Sequence, residues 1–186
     1  MTAGRDSRVR RTRERLRAAM VSLTREQGYT AWRVADLLER ADVGRATFYA
    51  HYRDKEDLLI SMFLDMIDHF ERLGLAEEPG SVLPGARQLL RHFHESKAFG
   101  RALARDDKMQ VLMRACEARL RRGLESRLPA NCNPPVVVVA TLAAGAFATT
   151  VNAWMSQGWL TPPDELADQL EALLGPGVRA AMAPAA

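Results

Sequence analysis

The segment at residues 43–59 constrains the fold of this chain more than any other part of the sequence. It predicts a short helix bearing Arg45 and Tyr49, then a turn and a longer helix, and it follows an apolar segment at residues 34–38. Two short helices joined by a tight turn form a helix-turn-helix, whose second helix enters the major groove of DNA. The segment therefore predicts a DNA-binding unit in the first third of the chain.

Helical periodicity extends along almost the whole chain. Apolar residues such as Leu16, Met20 and Leu23 recur at helical spacing, and no long alternation of apolar and polar residues predicts a strand. The sequence therefore predicts an all-α fold of about nine helices. A three-helix helix-turn-helix DNA-binding domain is expected at residues 1–55, and a second helical domain at residues 56–186.

Capping residues predict several helix ends. Gly28 suits the end of the first helix, and Asp54 suits the start of the fourth. The second helix is expected at residues 32–40 and the third at residues 45–52. The Gly-Pro-Gly sequence at residues 175–177 is expected to stop the last helix.

Charge is distributed unevenly along the chain. Residues 1–55 contain 13 Lys or Arg and 7 Asp or Glu, whereas the remainder contains 13 and 16. A basic first third on a mildly acidic remainder is typical of a polyanion-binding head on a separate body. A solvated charged face is the more common explanation of a charge run, so charge alone leaves both interpretations open.

The cysteines and the apolar segments bear on localisation. The two cysteines, Cys116 and Cys132, do not make a disulfide framework, and the N-terminus shows no secretion signal, so we expect a cytoplasmic protein. Residues 131–161 carry no Asp, Glu, Lys or Arg, and an uncharged apolar run of roughly 18 residues can span a membrane. Because this run contains threonines, Asn152 and Gln157, we favour a helix buried in a core or an interface, with no membrane partner.

An ordered set of motifs at residues 10–59 resembles the TetR (tetracycline-repressor-like) family of bacterial transcription regulators. A lone helix-turn-helix pattern is weak, but several motifs in the family's order and spacing are specific. The matching residues are Gly28-Tyr29, Val43, Thr47-Phe48-Tyr49, His51-Tyr52 and Lys55-Glu56-Asp57-Leu58.

This resemblance implies two kinds of DNA contact. A guanidinium at the start of a recognition helix can bond guanine O6 and N7 together, whereas phosphate contacts set register and supply affinity. The implied base-edge contacts are Arg45, Ala46 and Tyr49. The implied phosphate contacts are Thr47, His51 and Lys55, with Arg33 as a further candidate. For His51 and Arg33 a solvated surface position is the alternative, while Phe48 and Tyr52 are expected in the core.

The sequence departs from the family pattern at the ends of the second helix. The family usually has Thr or Ser near Trp32, where a hydroxyl caps the helix, and we expect Thr30 to act as the cap instead. The usual Gly of the turn is Asp42, a residue that tolerates left-handed geometry better than most.

Residues 73–186 carry no recognisable signature. In proteins that this chain resembles, the body binds a small effector and supplies a two-helix dimer face, and filling of the protomer core is the alternative for every residue named here. The expected lining of the effector site is Phe93, Phe99, Met109, Met113 and Cys116. The expected dimer interface comprises Ala144, Gly145, Phe147, Val151, Trp154, Met155, Leu166 and Leu170.

Together with the resemblance to the TetR family, these patterns predict a homodimeric, sequence-specific transcription regulator. The resemblance implies, most readily, a repressor that an unknown small-molecule effector releases from a near-palindromic operator in double-stranded DNA. The alternatives are a ligand-independent architectural DNA-binding protein, a membrane-attached regulator, and an enzyme with an unrecognised site. An enzyme is disfavoured because no HExxH, CxxC or G-x-S-x-G motif occurs. His92 and His94 are two apart and do not share a helix face, so we expect no metal site and no cofactor.

Overall fold

The computed structural model describes residues 2–182, with side chains for Ser7 and for residues 9–182. The part of the chain that it describes contains nine helices and no strand, which confirms the predicted all-α class. The helices are α1 (Thr2–Gln27), α2 (Val34–Ala41), α3 (Arg45–Tyr49), α4 (Lys55–Glu77), α5 (Ala86–Glu95), α6 (Lys97–Arg105), α7 (Lys108–Arg127), α8 (Val136–Ser156) and α9 (Pro163–Met182).

The chain divides into two compact units. The first unit comprises residues 1–62 and 98–109, and the second comprises residues 63–97 and 110–186. The first unit therefore extends past residue 55 and includes a segment that the sequence prediction assigned to the second domain. That segment joins the first unit because Asp106 and Lys108 bond to the loop after α1 and to the start of α4.

In the first unit, α1 buries one apolar stripe and ends where the sequence predicts. Leu16, Met20 and Leu23 are all buried, as their spacing requires. The N–H of Gly28 donates to the carbonyl of Thr24 at 3.0 Å, and Gly28 has a φ of +88°. A left-handed residue here closes the helix as glycine does at many helix ends.

The predicted start of α2 was wrong. The helix begins at Val34, and the N–H of Arg33 donates to the carboxylate of Asp36 at 2.6 Å. Thr30 is not the cap, because its N–H and hydroxyl both bond to Asp106. Trp32 is buried and donates from its indole nitrogen to the Thr24 hydroxyl at 3.1 Å, so the residue that cannot cap the helix fills the core.

α3 is also shorter than predicted. It ends at Tyr49, and the N–H groups of His51 and Tyr52 both donate to the carbonyl of Phe48, which forms a turn. Phe48 and Tyr52 are buried, as expected. The next helix begins as predicted, because the carboxylate of Asp54 accepts the N–H of Asp57 at 2.8 Å.

In the second unit, α8 places nine side chains in the core. Among the described residues it is the one helix long and apolar enough to cross a membrane by length and composition, and 39% of its most apolar window is buried. The last helix, α9, continues through Pro176 to Met182, so the predicted stop at residue 175 was wrong. Burial of Val178 and Ala181 on the same side as Leu170 stabilises the turns beyond the proline.

Candidate nucleic-acid interface

The outer face of α3 presents its polar side chains to solvent. Arg45, Ala46, Thr47 and Tyr49 are exposed, with 46% of Tyr49 accessible, whereas Phe48 is fully buried. One buried aromatic residue therefore anchors a five-residue helix, and the opposite face is left free. This geometry suits insertion of the free face into a DNA groove.

Arg45 and Tyr49 lie one turn apart and interact directly. The guanidinium carbon of Arg45 is 5.6 Å from the centre of the Tyr49 ring, which is a cation–π contact. The Tyr49 ring also packs edge-on against Phe48, with ring centres 5.2 Å apart. The buried ring thus orients the exposed one, and the exposed ring orients the guanidinium.

The turn before α3 is held from α1. Asp42 has a φ of 47°, and Arg15 donates to its backbone carbonyl at 2.7 Å and to its carboxylate at 2.6 Å. Sequence reasoning missed Arg15 as a residue that supports the site. It lies within the basic run at residues 8–17, but nothing in that run distinguishes the arginine that folds back from its neighbours.

α2 is held on α1 by a second ion pair. Arg40 donates to both carboxylate oxygens of Glu26, at 2.8 and 3.0 Å, and to the hydroxyl of Ser22 at 2.9 Å. The hydrogen bonds from Arg40 and then Ser22 lower the pKa of Glu26 to about 2. The two helices before the recognition helix are therefore joined by a charged clamp as well as by the core.

The remaining predicted phosphate contacts differ in exposure: two are exposed and one is part-buried. Arg33, at the start of α2, and His51, after α3, are exposed, so both positions stay predictions. Lys55 is turned inward: its ammonium donates to the carbonyls of Tyr29 at 2.9 Å and Trp32 at 2.7 Å. Two of the three ammonium donors are thus engaged within the protein, and the phosphate contact of Lys55 stays a prediction.

Aromatic rings complete the surroundings of Lys55. Its ammonium lies 4.6 Å from the centre of the Tyr29 ring and 4.5 Å from that of Trp32. Burial, and next the neighbouring Lys108, lowers the pKa of Lys55. Burial also raises the pKa of Tyr29, followed by the negative charges of Glu56 and Asp54. This lysine is therefore part of the support for the loop between α1 and α2.

Comparison with known proteins agrees with this geometry. Residues 16–62 match the model of a family described as bacterial regulatory proteins, tetR family. The chain carries a TetR-family DNA-binding domain. The match takes in α2, the turn and α3, and it confirms the resemblance seen in the sequence. The matched family is described as regulatory proteins, and the relative below as a transcriptional regulator.

One relative of this chain is the HTH-type transcriptional regulator YxbF of Bacillus subtilis strain 168. It is 39% identical over 79 residues, which are 40% of this chain and 20% of the relative. The chain therefore matches about a fifth of that relative's length.

Two solved structures share the fold over most of the chain. The dihydroxyacetone kinase operon activator DhaS superposes with a TM-score of 0.63 at 18% identity, covering 92% of this chain and 98% of its own. A TetR transcriptional regulator from Streptococcus agalactiae 2603V gives 0.61 at 20% identity, covering 94% and 99%. Identities this low show a shared fold and nothing finer.

The five expected effector-site residues do not lie together in one compact unit of the chain. Phe99 and Met109 belong to the first unit, whereas Phe93, Met113 and Cys116 belong to the second. Burial raises the pKa of Cys116 to about 12, which disfavours the reactive thiolate that a redox sensor needs. Among the described residues, no group of three or more His, Cys, Asp or Glu side chains could hold a metal ion.

A surface groove of about 360 Å³ lies in the second unit, beside the loop after α4 and between α5 and α9. None of the five expected residues lines it. Its polar rim includes Glu78, Arg87 and Glu171, and these side chains are paired: Arg87 donates to Glu78 at 2.9 Å, and Arg179 donates to Glu171 at 2.6 Å.

The expected dimer interface needs correction. Seven of the eight residues are already buried within the chain, so their side chains cannot form a contact surface without unfolding it: Ala144, Phe147, Val151, Trp154, Met155, Leu166 and Leu170. Gly145 is partly accessible. The solvent-facing stripe of α8 consists instead of Val138, Thr141, Leu142, Gly145, Thr149 and Asn152, and 67% of Leu142 is exposed.

Proposed function

We propose that this protein is a cytoplasmic transcriptional repressor that binds a near-palindromic operator as a homodimer. The observation that carries the proposal is the exposed pair of Arg45 and Tyr49 on a helix anchored by the buried Phe48. A guanidinium can bond both acceptors of a guanine in the major groove, and a phenol adds a further hydrogen-bonding group. The predicted contacts from Ala46, Thr47, His51 and Arg33 complete this surface.

The homodimer is proposed to form through the solvent-facing stripe of α8. That stripe is uncharged over about four helical turns, and its mostly small side chains with the apolar Val138 and Leu142 suit close packing against a second copy. Two heads related by a two-fold axis would place their α3 helices one turn of DNA apart, or a multiple of it. The operator should accordingly consist of two inverted half-sites.

A small effector is proposed to bind the second unit and release the operator. This release requires an effector whose affinity differs between the DNA-bound and free arrangements of the dimer, because a ligand that binds both equally shifts nothing. The side chains of Phe93, Met113 and Cys116 remain the proposed lining within that unit, where Phe93 stacks on Phe63 with ring centres 5.9 Å apart.

Selection of bound sequences from a random duplex pool, with the purified protein at near-physiological salt, tests the proposal. Enrichment of an inverted repeat is expected, and its spacing would report the distance between the heads. Binding without enrichment, lost as salt rises, would point to the architectural alternative. Transcription from a promoter carrying the selected site then decides the direction of control. DhaS is named an operon activator, so the shared fold alone does not decide it.

A further inference from the structure

The turn between α6 and α7 closes over the loop between α1 and α2 in the first compact unit. The carboxylate of Asp106 accepts the N–H of Thr30 at 3.0 Å and the hydroxyl of Thr30 at 3.2 Å. These two hydrogen bonds, with that of the Thr30 N–H as the largest cause, lower the pKa of Asp106, which keeps the carboxylate ionised as the acceptor. The two residues are 76 positions apart in the chain.

The same loop is held on its other side by the start of α4. Lys108, two residues after Asp106, donates to the carboxylate of Glu56 at 2.6 Å, and its ammonium lies 5.6 Å from the centre of the Tyr29 ring. Lys55 bonds the carbonyls of Tyr29 and Trp32. Three sets of interactions therefore hold the loop between α1 and α2: contacts with α4, contacts with the α6–α7 turn, and the burial of Tyr29 and Trp32.

We propose that Asp106 is a positioning residue for DNA recognition, although it lies outside residues 16–62, which match the TetR family model. The proposal rests on the proposed function. Thr30 is three residues before Arg33, whose N–H begins the capping of α2, and α2 leads through a three-residue connection into α3. Release of Thr30 would let α2 tilt at its start and would displace the Arg45 and Tyr49 pair from its orientation.

This role affects sequence-specific binding more than general affinity for DNA. Base readout depends on a guanidinium reaching two acceptors at hydrogen-bonding distance, so small tilts of α3 weaken it. Binding to random DNA depends on the number of positive charges near phosphates and tolerates such tilts. Loss of the Asp106 contact should therefore separate the two affinities.

Four variants of the full-length protein test this. Asp106→Ala removes both hydrogen bonds, whereas Asp106→Asn removes the charge and keeps an amide that can accept from the Thr30 N–H. Thr30→Val removes only the hydroxyl. Asp107→Asn is the matched control, because this neighbouring carboxylate has no partner among residues 2–182, and Asn tolerates its φ of 56°.

We expect Asp106→Ala to weaken binding to the selected operator by about tenfold and to leave binding to random DNA within about twofold. Asp106→Asn should recover most of the operator affinity, Thr30→Val should give an intermediate loss, and Asp107→Asn should match the wild type. An equal loss on both DNAs, or no loss on the operator, would overturn the positioning role, and so would failure of Asp106→Asn to recover affinity.

Hydrogen exchange without DNA separates this inference from the proposed function. Asp106→Ala should speed exchange at the Thr30 amide and at the first turn of α2, while Asp107→Asn should not. If the duplex selection enriches no operator, the proposed function fails, and the exchange result still shows whether Asp106 holds the head. Unchanged amide hydrogen exchange in Asp106→Ala would contradict the inference, whether or not the duplex selection enriches an operator.

Discussion

The ammonium of Lys55 lies over the ring of Tyr29 and donates a hydrogen bond to the carbonyl of the same residue. One residue of the loop is thus bound through both its side chain and its backbone. A lysine that the sequence pattern assigns to phosphate contact is therefore committed to holding the loop that leads into α2. Its positive charge still adds to the electrostatic potential of the first compact unit, while two of its three N–H donors bond inside the protein.

Replacement of Lys55 should lower the free energy of unfolding more than it weakens DNA binding. Lys55→Met keeps the aliphatic stem and removes the ammonium, leaving two carbonyls without their donor, and we expect a loss of about 1–3 kcal/mol in the free energy of unfolding. Lys97→Met, at an exposed lysine without a partner among the described residues, is the control and should change stability little. Urea denaturation measures both. Unaltered stability with a shallower salt dependence of DNA binding would instead support a contact between Lys55 and a DNA phosphate.

Arg45 and Tyr49 should govern sequence preference. Arg45→Ala and Tyr49→Ala are each expected to cost about 1–3 kcal/mol of operator binding and to leave binding to random duplexes nearly unchanged. Tyr49→Phe retains the ring beside the guanidinium and should lose less than Tyr49→Ala. Competition titrations with operator and random DNA provide the comparison. Parallel losses on the two DNAs would argue against base contact by this pair.

The exposed stripe of α8 should control assembly. Leu142→Arg places a charge in the proposed interface, and burying an unpaired charge should raise the dimer dissociation constant by at least about a hundredfold. Leu75→Arg, at a leucine of α4 that is 53% exposed, is the matched control and should remain dimeric. Sedimentation equilibrium measures the dissociation constants, and circular dichroism checks folding. A folded Leu142→Arg protein that dimerises like the wild type would place the interface elsewhere.

The clamp between Glu26 and Arg40 should make stability depend on pH in acid. The pKa of Glu26 in the folded protein is about 2, below its ordinary 4.5, so the folded state favours the ionised carboxylate. The contribution is complete above pH 4.5 and is lost as the pH falls towards about 2. Glu26→Gln should therefore be less stable than the wild type at neutral pH, and the difference should shrink across this window.

Thermal unfolding followed from pH 7 to pH 2.5 checks this expectation. Glu39→Gln is the control, since the carboxylate of Glu39 has no side-chain partner in the described part of the chain. A constant difference between Glu26→Gln and the wild type at every pH would mean that the clamp does not depend on the ionised carboxylate.

The sequence predicts features that depend on neighbouring residues. The end of α1 at Gly28, the cap at Asp54 and the inward positions of Phe48 and Tyr52 all follow from local capping and helical spacing. The exposed face of α3 can be predicted in the same way, because it consists of the residues that do not share the buried side with Phe48. These are the features that specify the recognition helix.

Structural features that depend on residues distant in the chain cannot be predicted from the sequence in this way. The direction of the Lys55 side chain depends on the rings of Tyr29 and Trp32, and the bond between Thr30 and Asp106 joins residues 76 apart. The outward face of α8 was assigned to the wrong side chains because the helix carries no charge on any side, and periodicity then gives no direction.

The first compact unit is built from two separate segments of the chain, which affects when it can fold during synthesis. Because that unit includes residues 98–109, emergence of the first 62 residues from the ribosome does not supply all of its parts. Domains generally fold as units as they emerge, so the recognition helix would be presented before the α6–α7 turn can fasten it. The nascent protein would acquire the DNA affinity of the complete protein only after the start of α7 has emerged from the ribosome.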